Sequence, residues 1–153
     1  MPRPLQLPIL VGALAILSVA CGPTLRGDAC TDYASGAVTL VFSAPASPEC
    51  PVLGQRTGRG PRGDSSGAYS FATVEGCPAH SACTIEAAPR DHGDLTQDFL
   101  CSVDYTETLA TGHVECGKDV NGGGGLEVCI FWPDGGNPAW SPCQYQFSVA
   151  LTR

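Results

Sequence analysis

Nine of the 153 residues are cysteine, and no two stand closer than the step from Cys77 to Cys83. The close pairs that a zinc site needs are therefore missing, and no metal or other cofactor is expected. In an oxidising compartment such thiols pair with one another, and a small chain then folds around its crosslinks. Nine is odd, but setting Cys21 aside leaves an even set: Cys30, Cys50, Cys77, Cys83, Cys101, Cys116, Cys129 and Cys143. Eight cysteines can be joined in many ways, and only two pairs have local geometry behind them. Cys116 and Cys129 fit opposite each other in a hairpin centred between Gly122 and Gly123, and Cys77 and Cys83 can close a short loop ahead of a strand.

Hydropathy along the chain repeats every two residues. Val38, Leu40 and Phe42 alternate with Thr39, Val41 and Ser43; Tyr69, Phe71 and Thr73 with Ser70, Ala72 and Val74; Cys83, Ile85 and Ala87 with Thr84 and Glu86. The same holds for Phe99, Cys101, Val103 and Tyr105, and for Cys143, Tyr145, Phe147, Val149 and Leu151. Strict alternation is the pattern of antiparallel strands with one face on a core and one in water. Residues 114–116 and 126–132 add two candidates, the second apolar on both faces and so expected to be central. Residues 93–100 hold at most one helical turn. The expected fold is all-β, a disulfide-stabilised antiparallel β-sandwich or small barrel of about seven strands. Between the first two alternating runs, residues 53–67 carry Arg56, Arg59, Arg62 and five glycines. No period runs through them, which predicts a mobile, exposed excursion.

Residues 9–20 form an uncharged apolar run behind a single positive charge, Arg3. The run is too short to cross a bilayer and has the make-up of an export signal. It ends Leu17, Ser18, Val19, Ala20, Cys21, and here the chain resembles a bacterial lipoprotein, over residues 1–21 only. The resemblance implies cleavage before Cys21 and a lipid on its sulfur, with residues 1–20 as signal peptide, 21–29 as lipidated tether and 30–153 as one cysteine-rich β domain. Its membrane partner is reached through the anchor, since two or more acyl chains hold a protein stably. Gly22 stands where the family's inner-membrane retention signal has Asp, which implies the outer membrane of the cell envelope. Ser18 and Ala20 equally suit an ordinary signal peptidase, which would release a soluble secreted chain.

Fifteen acidic residues against eight basic ones give a net charge of −7. A nucleic-acid partner needs a basic face and is excluded. The segment Gly63, Asp64, Ser65, Ser66, Gly67 matches G-x-S-x-G, yet it lies between a basic loop and a strand rather than at a strand-to-helix elbow. Arg-Gly-Asp at residues 26–28 and 62–64 is the tripeptide read by animal integrins, three letters that an Asp- and Gly-rich chain readily produces. Trp132 and Trp140 flank a Pro- and Gly-rich turn. They either form an exposed platform for a glycan or protein at the cell surface or fold back as lids over disulfides. No catalytic residue is assigned. The expected role is non-catalytic, binding or structural, at the cell envelope; the alternative is a small secreted or envelope hydrolase whose active site the residues do not reveal.

Overall fold

The computed structural model describes residues 29–91, 100–120, 127–135 and 143–153. Cys21, Trp140, the turn around Gly122 and residues 93–99 lie outside that set. A 3-10 turn, Thr31–Ser35, leads into eight strands. They are β1 (Ala37–Phe42), β2 (Gln55–Gly63), β3 (Tyr69–Glu75), β4 (Ala82–Arg90), β5 (Leu100–Leu109), β6 (Gly112–Asp119), β7 (Glu127–Pro133) and β8 (Phe147–Thr152).

All pairings are antiparallel, in the order β7-β6-β5-β4-β3-β2-β1-β8. The chain meanders from β1 to β7 and then returns beside β1. On the way back it touches the opposite edge: Ile130 bridges Gln144, Phe131 N–H donates to Cys143 C=O at 3.0 Å, and Tyr145 N–H donates to Cys129 C=O at 3.0 Å. Residues 143–146 thus lie against β7 while 147–152 lie against β1, and the sheet is a nearly closed barrel. Eight strands enclose a space about wide enough for side chains to fill.

Period-two alternation fills it. Val38, Leu40, Ile85, Ala87, Val103, Tyr105 and Val114 are all at most 1% exposed and form one core with Phe42, Phe71, Phe131 and Phe147. Burying each of the larger ones contributes about 1.5–3 kcal/mol. Four disulfides staple this core: Cys30–Cys101, Cys50–Cys143, Cys77–Cys83 and Cys116–Cys129. The last two are the pairs that local spacing favours. Cys116 and Cys129 are direct cross-strand partners, in the register of a hairpin centred between Gly122 and Gly123. Cys50–Cys143 ties the connection between β1 and β2 to the start of the returning segment, where Cys143 bonds to Phe131 of β7.

Two expectations are corrected. Residues 55–63 are not an excursion but strand β2, paired with β1 through Gln55–Gly58 and with β3 through Thr57–Gly63. Arg56 faces the interior, where a carboxylate meets it. Gly58 is glycine because Phe71 packs over it; a Cβ there would fall 2.8 Å from Phe71 Cγ. Pro61 lies past the last residue bonded to β1, where a missing N–H costs no ladder bond on that side. Strand β7, expected to be central, ends the sheet order. Cys129 and Phe131 point inward, while Val128, Ile130 and Trp132 form an apolar row on its outer side.

Candidate functional site

Inside the barrel a polar cluster interrupts the apolar core. Arg56 Nε donates to the Tyr105 hydroxyl at 2.9 Å and Nη2 to Glu107 Oε2 at 2.9 Å. Nη1 donates to the carbonyls of Leu53 and, at 3.0 Å, Gln55. The Tyr105 hydroxyl in turn donates to Glu107 Oε2. Burial, then the bond to Glu107 and its charge, hold the Tyr105 hydroxyl far above its ordinary titration range. It stays protonated at neutral pH and is no base. Glu107 Oε1 has no partner among the described residues. The cluster is charge-balanced and sealed, and its work is to hold β2 against β5.

The outer wall offers a different surface. A groove of about 500 Å³ runs over β4–β7, lined by Arg90, Asp104, Thr106, Glu115, Gly117 and Val128 among others. Arg90 and Asp104 pair at 2.7 Å across β4 and β5. Gly117 leaves room for that carboxylate, because a Cβ there would lie 2.8 Å from Asp104 Oδ1. Along the same wall His113 stands opposite Trp132 in the ladder, their rings nearly parallel at 10° with centroids 6.3 Å apart. His113 Nε2 lies 3.6 Å from Glu115 Oε1, and Trp132 Nε1 has no partner among the described residues. Apolar β7 side chains thus run beside polar and charged ones on β6. Such a wall can offer an apolar contact face and hydrogen-bond partners to one ligand.

The other motifs do not converge. Ser65 sits in the exposed β2–β3 turn, where Asp64 is occupied by structure: its Oδ1 accepts from Ser66 N–H at 2.8 Å and from Ala68 N–H at 3.2 Å. Hydrogen bonds from the Ser66 side chain and backbone lower its carboxyl pKa. His80 is at the loop closed by Cys77–Cys83, at φ 71°, and His113 is on β6. Among the described residues no three His, Cys, Asp or Glu side chains gather in a metal-holding group. Trp132 belongs to the outer wall rather than covering a disulfide from inside. The Arg56 cluster escaped sequence reasoning because Arg56 lies on β2 while Tyr105 and Glu107 lie on β5, far off in sequence; the only hint was one arginine in phase with the inward positions of a glycine-rich stretch.

The class defined by these observations is an all-β, disulfide-stapled, nearly closed barrel. Compared with family models, with curated proteins and with solved structures, the chain matches none of them.

Proposed function

We propose that this protein is held at the bacterial cell envelope by a lipid on Cys21 and binds a ligand without catalysis, through the outer wall of β4–β7. What carries the anchor is cysteine arithmetic joined to pairing. The four disulfides use every cysteine except Cys21, and Cys21 ends the export-signal segment. Multiple disulfides are compatible with an extracytoplasmic protein. What supports the binding surface is the groove beside Gly117 together with the His113–Trp132 stack, a combination suited to a glycan or a peptide side chain.

Mass spectrometry of the mature N-terminus tests the anchor: an acylated Cys21 is expected, with Cys21→Ser released from membranes, and an unmodified terminus overturns it. Titrating soluble envelope glycans while following backbone NMR shifts tests the surface. Shifts gathered on His113, Glu115, Gly117 and Trp132 support it, and shifts elsewhere remove it.

A further inference from the structure

Among the described residues the seam between β7 and β8 is closed for only part of its length. At Phe147 the chain turns from one edge to the other: its N–H donates to Glu127 Oε1 at 2.6 Å and its C=O accepts from Lys118 Nζ at 2.8 Å. Lys118 and Glu127 are themselves paired at 2.9 Å. Two side chains thus occupy the main-chain groups of Phe147 that face away from β1. In an antiparallel ladder alternate residues direct both groups to the same side. Val149 and Leu151 therefore also point N–H and C=O away from β1, as Phe147 does. Among the described residues β8 pairs with β1 alone, and nothing bonds these four groups.

Open edges are ordinarily protected by charges, proline or a bulge. The stretch Phe147–Thr152, FSVALT, has neither a charge nor a proline, and Ser148, Ala150 and Thr152 are exposed and small. We infer that the outer edge of β8 pairs antiparallel with β8 of a second copy of this chain, about a two-fold axis at Ala150. Two features favour a second copy over a foreign strand. The stretch is self-complementary: Val149 of each copy falls opposite Leu151 of the other, matching the four free groups of each edge, and Ala150 falls opposite Ala150. The edge is also locally neutral in a chain of net charge −7. One end is flanked by the Lys118–Glu127 pair and the other by Arg153 bonded to Asp32, so the edge itself brings no unpaired like charges together. A symmetric, isologous contact of this kind closes at two copies.

The register sets the test. Ala150 facing its counterpart is a non-hydrogen-bonded pair, with Cα atoms about 4.5 Å apart and within disulfide reach. Ala150→Cys should give a covalent dimer on non-reducing, denaturing electrophoresis, whereas Thr152→Cys, opposite Ser148 of the other copy, should stay monomeric. In sedimentation the full mature protein should show a concentration-dependent dimer. Ala150→Lys, which puts two like charges at the axis on an exposed position, should abolish it with the melting temperature retained. The proposal is overturned if the natural chain sediments as a monomer at every concentration, if Ala150→Lys folds and still dimerises, or if Thr152→Cys crosslinks and Ala150→Cys does not.

Discussion

Arg56 and Glu107 form an ion pair at 2.9 Å inside the barrel, with side chains 5% and 1% exposed. They sit on strands β2 and β5, which are not neighbours in the sheet, so the pair spans the interior rather than running along a ladder. Tyr105 bonds to both and joins the pair to the aromatic core through Phe42, whose ring centroid is 5.2 Å away.

Removing one member of such a pair leaves a buried charge alone, at a cost of about 3–5 kcal/mol. Arg56→Met and Glu107→Leu should each lose stability on that scale in denaturant unfolding. The double variant should recover much of it, because an apolar pair of similar volume removes both desolvation penalties. Strictly additive losses would show that the two charges do not act as a unit.

The same pair reverses the behaviour expected of a basic, glycine-rich segment. Arg56 is 4% exposed and lies in a strand bonded on both sides. Trypsin acting on the native protein should spare Arg56, and deleting residues 57–65 should abolish folding, because the deletion removes most of an internal strand. Early cleavage at Arg56, seen by mass spectrometry of the first fragments, would place the segment outside the sheet.

Much of the architecture was legible because burial on one face writes itself as alternation. β1, β3, β4, β5 and β8 each carry an apolar run, and Cys116–Cys129 is one of the two pairs that local spacing favours. What alternation misses is a strand whose inward positions are not hydrophobic. In β2 the inward residues are Arg56, satisfied by Glu107, and Gly58, vacated for Phe71. Both depend on strands far off in sequence. β7 misled for the opposite reason: its outer residues Val128, Ile130 and Trp132 are apolar, so it reads as buried on both faces although it ends the sheet. One part of the outer wall was visible, through Trp132; His113 and Gly117 acquire meaning only from the register of β6 with its neighbours.

The four crosslinks should differ in worth. Cys77–Cys83 and Cys116–Cys129 close sequence separations of 6 and 13, whereas Cys30–Cys101 and Cys50–Cys143 close 71 and 93. If the staples act by restricting the unfolded chain, the short ones contribute about 2–3 kcal/mol and the long ones about 4–5 kcal/mol. Replacing Cys77 and Cys83 by alanine should lower the melting temperature least. Replacing Cys50 and Cys143 should lower it most, since that bond also ties the returning segment beside β7 to the connection between β1 and β2. The reverse order would mean that native contacts near the short loops outweigh chain entropy.

Alkali should unfold this protein through its tyrosines. Burial first, and then the nearby Asp32 and Glu107 carboxylates, push Tyr33 and Tyr145 up to about 12. Tyr105 is pushed in the same direction by burial and by Glu107. In the unfolded chain a tyrosine ionises near its ordinary value of about 10. A folded-state pKa above the unfolded one means that the native state retains the proton longer. The contribution to stability is therefore complete below pH 10 and is lost as pH climbs from 10 through about 12. Melting temperature should hold level up to the start of that window and fall within it. Tyrosinate absorbance from these three residues should appear together with loss of the far-ultraviolet β signal, not ahead of it. If all four tyrosines ionise near pH 10 while the β signal persists, the Tyr33, Tyr105 and Tyr145 rings are not held in the core as described.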